Sequence, residues 1–347
     1  MKTIVFTGGG TAGHIYPNIA VYERLKEDYS AVYIGGSGMG KDIAKKENIP
    51  FYEIDTVKLE RKFTLKNLLI PFKLVKAICQ SKKILKEIKP NVIFSKGGFV
   101  SVPVVIAGKS LKIPIVSHEA DLTLGLANKI ILRYCDKMCC TFEETTKQSG
   151  KCVFTGLPIR QKLLKGNKKN LPFYENIAKD KPCLLIMGGS TGARKINNMV
   201  LENIDKLTSK FNVIHITGKQ KFEKKRVKGY FQLDYVDNIG DFLDLADIVV
   251  SRAGSGAIHE ILAMKKPMLL IPLSKNISRG DQIENAKLFN SLGYADVLQE
   301  EDYDKNLFLI KIENIYKNRQ KYIKNMSKTT NYDASDKIIS ILKQIEK

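Results

Sequence analysis

No stretch of this chain holds the roughly 20 consecutive apolar residues that a membrane-spanning helix requires. The opening residues, MKTIVFTGGG, run straight into a strand and a glycine turn, without the apolar core and cleavage site of a signal peptide. A soluble protein is expected. Cysteine supplies no framework either: Cys79, Cys135, Cys139, Cys140, Cys152 and Cys183 show no CxxC spacing and no His-rich companion tract. Reduced thiols in a cytosolic protein are the expectation. Acid is also short, with 36 Asp and Glu against 57 Lys and Arg, a net charge of +21. Such an excess calls for an anionic partner: nucleic acid, an acidic membrane surface or phosphorylated ligands. What is present suffices for two ordinary domains, since the 347 residues are 44% hydrophobic and 27% charged.

The position of the charge narrows the choice. Ten basic and two acidic residues lie between Lys58 and Lys89, interleaved with apolar ones. Leu68, Phe72, Val75 and Cys79 recur at helical spacing, with Lys73, Lys76 and Lys83 elsewhere on the wheel. One arrangement lays this helix on an anionic bilayer. The other packs its apolar side on its own domain and leaves the lysines in water. Nucleic acid fits less well, because no recognition motif accompanies the charge.

Strand-like runs alternate with helix-like segments, which predicts parallel sheets covered by helices. KTIVFT, AVYIGG, NVIFS, IPIVSHE, KMCCTF and KCVFTG make one series, closing a domain near residue 160. The Lys-rich stretch QKLLKGNKKNLPFYENIAKDK reads as a linker. A second series follows in CLLIMGG, NVIHITG, DIVVSRAG and PMLLIP, and the closing ASDKIISILKQIEK reads as an amphipathic helix that could join either half.

Four strand-to-helix junctions carry glycines: Gly8, Gly10 and Gly13; Gly97 and Gly98; Gly188, Gly189 and Gly192; Gly254 and Gly256. Without Cβ atoms the backbone turns sharply and ligand oxygens reach the amides at the next helix start. Loops in both halves, opening at strand carboxyl ends, suggest ligands held in an interdomain cleft. A nicotinamide or flavin enzyme would want an acid ending the second strand, but AVYIGGSG offers none. A serine hydrolase could use Ser190 in GGSTG with His215 or His259, yet no HGGG-like oxyanion loop accompanies it.

The motifs GGGTAGH with Pro17, KGGFVSVP, HEAD with GLANK, TGLPIR, GGSTGA with Asn197, SRAGSGAIHE and DQIENA occur in order from Gly8 to Ala286. That series resembles the MurG family of peptidoglycan GlcNAc transferases. Two departures stand out: Ala12 sits where the family often has glycine, and Asp121 where it often has asparagine. The resemblance implies an α/β GT-B fold, two Rossmann-like parallel-sheet domains facing an interdomain cleft. Residues 1–160 plus 331–347 would form the acceptor-binding, membrane-associating domain, with the last helix crossing back to it. Residues 161–330 would bind the UDP-sugar.

The implied reaction is inverting transfer of GlcNAc from UDP-GlcNAc to undecaprenyl-pyrophosphoryl-MurNAc-pentapeptide, lipid I, giving lipid II. No cofactor and no metal are implied, and the sequence offers no DxD cluster at a strand end. The protein would work peripherally on the anionic cytoplasmic face of the cell membrane, without nucleic acid. On the donor side the resemblance implies Thr11, Ala12, Gly13, Arg160, Gly189, Ser190, Gly192, Val236, Gly254, Glu260, Gln282 and Asn285. Ser190 with the neighbouring amides would cradle the pyrophosphate, Glu260 would take the ribose hydroxyls and Gln282 the GlcNAc. On the acceptor side it implies Gly97, Gly98, His118, Asp121 and Asn128. The candidate general base is His14, whose other reading is a donor to the acceptor pyrophosphate, with Glu119 the alternative base. A GT-B transferase using another lipid such as diacylglycerol, and a non-catalytic nucleotide-binding protein, are the remaining alternatives.

Overall fold

The computed structural model describes residues 1–9, 12–56, 70–189, 192–276, 278–329 and 333–346, residue 12 by its backbone alone. Two compact units account for the chain: Met1–Arg160 with Asp333–Lys347, and Gln161–Tyr332.

The first unit is built on seven strands: β1 (Lys2–Thr7), β2 (Tyr29–Gly35), β3 (Phe51–Glu53), β4 (Val92–Ser95), β5 (Ile115–Glu119), β6 (Lys137–Cys140) and β7 (Cys152–Phe154). Their order is β3-β2-β1-β4-β5-β6-β7, and every pair is parallel. Helices α1 (Ala12–Leu25), α2 (Met39–Lys46), α3 (Ile70–Ile88), α4 (Ser101–Ser110) and α5 (Leu126–Tyr134) connect them. A parallel sheet is covered on both faces, so its strands read as continuous apolar runs. In β1 the fully buried Ile4 and Phe6 join one core layer with Val92, Phe94 and Ile19, while Val5 joins the opposite layer with Ile93, Ile115 and Val105.

The second unit carries β8 (Cys183–Met187), β9 (Asn212–Ile216), β10 (Tyr230–Leu233), β11 (Ile248–Ser251), β12 (Met268–Leu270) and β13 (Ala295–Val297) in the parallel order β10-β9-β8-β11-β12-β13. Its helices are α6 (Gln161–Leu164), α7 (Arg194–Glu202), α8 (Ile204–Lys210), α9 (Ile239–Leu245), α10 (Ser255–Ala263), α11 (Asp281–Ser291), α12 (Lys305–Lys317) and α13 (Arg319–Met326). The final helix, α14 (Ser335–Ile345), returns to the first unit and buries Ile338 and Leu342 beside α1. Asp333 pins that return. Its carboxylate accepts from the Ile159 amide at 3.0 Å and the Ser335 hydroxyl at 2.6 Å, and pairs with Arg24 of α1 at 2.5 Å.

Three strands escaped the sequence pattern: β3, β10 and β13. All three sit at sheet edges and run three or four residues, too short for a periodic signal. The expected linker is a correction, because residues 161–181 fold onto the second unit. Leu163 and Leu171 are buried, and Phe173 stacks on Phe231 with ring centroids 4.8 Å apart. Asp241 and Asp244 accept the Asn167 and Lys168 amides at 2.7 and 3.0 Å, so the backbone is held while Lys162, Lys165, Lys169 and Lys179 face water.

In α3 the buried positions are Ala77, Ser81 and Leu85. Phe72 is 75% exposed and Val75 60%, and Cys79 is exposed with them, so the apolar stripe points outward rather than onto its own domain. Leu68 lies outside the described residues. No helix among the described residues is long and apolar enough to cross a membrane.

Candidate active site

In the first unit the carboxyl tips of β1, β4 and β5 converge. The β1–α1 turn is held from below, where the buried Tyr33 hydroxyl donates to the Gly8 carbonyl at 2.7 Å and Asn18 donates to that hydroxyl and to the Thr7 carbonyl. After β4, Gly97 and Gly98 both adopt φ of +83°, a region that side chains with a Cβ resist. A Cβ on Gly98 would lie 3.1 Å from the Gly9 carbonyl oxygen and 3.7 Å from Cδ2 of His14. The half-buried His14, third residue of α1, therefore stands directly over the second glycine turn. Between these turns lies Lys96, only 2% exposed. Burial pulls its amine down to about 8, against the opposing pull of Glu119 and Asp121.

In the second unit the β8–α7 turn places Gly189 at φ +90° and Gly192 at φ +83°, with the Gly192 amide donating to the Gly189 carbonyl at 3.0 Å. A Cβ on Gly192 would come within 2.2 Å of the Thr217 carbonyl at the tip of β9, so only glycine fits. Asn197 of α7 donates to the same carbonyl at 3.0 Å and locks α7 to that strand. Behind the loops lies an ion network: the buried Glu300 carboxylate meets Arg252 at 2.5 Å and Lys195 at 3.0 Å. Arg252 also donates to the Ile271 carbonyl at 3.1 Å. One acid thereby ties the loops after β8, β11, β12 and β13 together.

Several expected site residues fall where a ligand could meet them. Gly254 caps α10, and Glu260 lies half-buried on its second turn. Gln282 takes the Leu273 amide on Oε1 at 3.0 Å, and its Nε2 lies 4.0 Å from where a Gly254 Cβ would be, so its amide nitrogen faces the β11–α10 turn. Val236 is half-buried in the β10–α9 loop, and Asp121 is half-buried just after β5. Gly13 is exposed in the first turn of α1. Thr11 and Ser190 lie outside the described residues, as does the side chain of Ala12. Arg160 belongs to the first unit, with its guanidinium 3.8 Å over the Tyr16 ring.

Four expectations need correction. His118 is fully buried, and its Nε2 donates to the Gly156 carbonyl at 2.9 Å, which makes it a strut between β5 and the loop after β7. Glu119 is an unsuitable base, because its carboxylate already accepts from the Asp121 amide (3.0 Å), the Gly125 amide (3.0 Å) and Asn128 Nδ2 (2.9 Å). Asn128 is correspondingly a structural donor, only 5% exposed. Asn285 is fully buried on α11, with Nδ2 on the Ala253 carbonyl at 3.2 Å, so it shapes the β11–α10 turn rather than meeting a sugar. In the other direction, sequence reasoning missed Lys96, Arg252 and Glu300. Only the adjacency of Lys96 and Arg252 to glycine turns could have flagged two of them.

Residues 4–140 match the N-terminal domain of glycosyltransferase family 28, and residues 183–341 match its C-terminal domain. A relative from Clostridium tetani is 48% identical over 350 residues, spanning 99% of this chain and 98% of its own. It is named UDP-N-acetylglucosamine–N-acetylmuramyl-(pentapeptide) pyrophosphoryl-undecaprenol N-acetylglucosamine transferase. A protein of the same name from Lachnospira eligens is 48% identical over 354 residues, spanning 100% of both chains. The chain belongs to glycosyltransferase family 28, and within it to the MurG family. The crystal structure of Acinetobacter baumannii MurG shares the fold with a TM-score of 0.77 at 22% identity, covering 99% of this chain and 100% of that one. The Streptomyces glycosyltransferase SsfS6, complexed with thymidine diphosphate, shares it at 0.68 and 12% identity, covering 99% and 100%. This MurG-family chain is therefore a GT-B glycosyltransferase whose two units present glycine turns at the carboxyl ends of their strands.

Proposed function

We propose that this enzyme transfers GlcNAc from UDP-GlcNAc to the 4-hydroxyl of MurNAc in undecaprenyl-pyrophosphoryl-MurNAc-pentapeptide. The observation that carries the reading is the full-length match, 48% over 99% of the chain, to a transferase of that name. In this reading the acceptor oxygen attacks C1 of GlcNAc as the C1–O bond to UDP breaks. His14 takes the acceptor proton, and the departing UDP gathers the negative charge. His14 suits that role through its position above the Gly98 turn, and imidazole exchanges a proton at working pH. Preorganised amides at the α7 N-terminus, with Ser190, Gly189 and Gly192, lower the barrier by meeting the charge that develops on the pyrophosphate. Glu260 accepts from the ribose hydroxyls, Gln282 Nε2 donates to the sugar, the Val236 backbone meets the uracil, and Arg160 adds a positive charge for the nucleotide. Thr11 to Gly13, Gly97, Gly98 and Asp121 serve the approach of ligand oxygens in the first unit.

The enzyme works peripherally at the cytoplasmic face of an anionic membrane, through α3. Exposed Phe72, Val75 and Cys79 flanked by Lys73, Lys76, Lys83 and Lys86 favour that surface, since an outward apolar stripe among cations suits a bilayer interface. The test of function is incubation with UDP-GlcNAc and lipid I. UDP release that depends on both, with a β-linked disaccharide lipid product, is expected. Release without lipid I, or transfer to diacylglycerol instead, would overturn the assignment.

A further inference from the structure

Lys96 is a charged side chain in a place where charge is unfavourable. It is 2% exposed at the tip of β4, and among the described residues no carboxylate lies within ion-pairing distance of its amine. Glu119 and Asp121 act on it only through space. Glu119 cannot turn to meet it, because both carboxylate oxygens are engaged by Asp121, Gly125 and Asn128. A buried cation without a bonded counter-ion is strongly disfavoured unless a ligand supplies the anion. The surroundings admit one. The two positive-φ glycines that follow Lys96, and Gly8, whose missing Cβ would sit 3.1 Å from the Lys96 Cβ, leave bare backbone around its stem. The α4 N-terminus lies just beyond, with the Ser101 amide turned back onto the Gly98 carbonyl at 3.1 Å.

We propose that Lys96 is the residue by which the first unit selects a phosphorylated acceptor, its ammonium taking a phosphate oxygen of the pyrophosphate linkage. The inference rests on the acceptor being the pyrophosphoryl lipid. It gives Lys96 a specificity role: a neutral lipid alcohol would leave the buried cation uncompensated, and an anionic one satisfies it. A charge-assisted bond of this kind accounts for about a tenfold to hundredfold difference in affinity.

The test is calorimetric titration of full-length protein with geranyl pyrophosphate, in saturating UDP so that the nucleotide site is filled, with geraniol as the neutral control. Lys96→Met should bind the pyrophosphate tenfold to a hundredfold more weakly, Lys96→Arg should recover part of the loss, and geraniol should not distinguish them. Wild-type affinity should fall from pH 7 to 9.5 as the amine loses its proton, and that of Lys96→Met should stay flat. The titratable groups acting on the amine are Glu119 and Asp121, at and beyond the β5 tip. With lipid I, the KM for lipid should rise in Lys96→Met while the KM for UDP-GlcNAc holds. Thermal melting verifies folding, because removing a buried uncompensated charge should raise Tm rather than lower it. Equal affinity in wild type and Lys96→Met, no saturable binding by wild type, displacement of the probe by UDP, or a fall in kcat alone would overturn the proposal. Pyrophosphate binding through Lys96 without lipid I-dependent UDP release would sink the function and leave this site standing.

Discussion

His14, in the first turn of α1, and Glu119, at the end of β5, lie at the same edge of one sheet, yet their surroundings divide them. A general base needs a lone pair that the substrate can reach, and both oxygens of Glu119 already take protein donors. Substituting His14→Ala is therefore expected to lower kcat by roughly 10²–10⁴-fold while UDP affinity holds, and to remove the acidic limb of the rate–pH profile. Single-turnover kinetics should first establish that chemistry limits the rate. Wild-type turnover restored by saturating lipid would make His14 a binding residue. Glu119→Gln should behave differently. Its amide replaces one acceptor oxygen with a donor facing the amides of the 121–125 turn, so Tm should drop, by an amount set by about 1–3 kcal/mol per stranded donor. The acidic limb should survive.

The helix α3 shows why the face of an element matters more than its composition. Its inner side buries Ala77, Ser81 and Leu85, yet its outer side also holds Phe72 and Val75, where a helix that only covers a sheet would carry polar residues. Attraction to an anionic bilayer runs at about 1 kcal/mol per basic residue near the surface and weakens with salt. Replacing Lys73, Lys76, Lys82 and Lys83 by Gln should release the protein from phosphatidylglycerol vesicles in a flotation assay. Soluble-acceptor kinetics should be unaffected. Binding that ignores both salt and the substitutions would remove α3 from the membrane reading. The ion pair between Lys76 and Asp55 joins two groups that are each more than half exposed, so its loss carries little stability of its own.

Across the whole molecule, acid should act first on the second unit. His215 is fully buried on β9, with Nδ1 against the Tyr230 hydroxyl at 2.7 Å and Nε2 against Asn197 Oδ1 at 3.1 Å, a neutral imidazole accepting at one nitrogen and donating at the other. Burial holds it down at about 4 from its ordinary 6.5. As pH falls, the unfolded chain takes this proton first, so the stability present above pH 6.5 is lost between pH 6.5 and 4. A depression of that size corresponds to of the order of 3 kcal/mol. Calorimetry from pH 7.5 to 4.5 should show the transition containing the second unit moving down steeply, and His215→Asn should flatten its pH dependence. An equal slope in the variant would assign the acid sensitivity to other groups.

The local chemistry of the chain determined the strand-and-helix alternation, the glycine turns at strand tips and the residues clustered around them. Each depends on neighbours within a few positions: β1 reads as a strand because Ile4, Val5 and Phe6 are all apolar, and Gly192 reads as a turn because its φ of +83° suits a residue without a Cβ. Tertiary structure alone decided what lay beyond that range. The edge strands β3, β10 and β13 exist through pairing with a neighbour, not through their three or four residues. Residues 161–181 look like a linker until Asp241 and Asp244, some seventy positions later, accept their amides. Glu119 is a base candidate until Gly125 and Asn128 reach it, and Lys96 is an ordinary lysine until three strand tips close around it. A side chain's charge is written in the sequence, but its solvent and its partners come from residues distant in the chain, and these set whether that charge binds, reacts or supports.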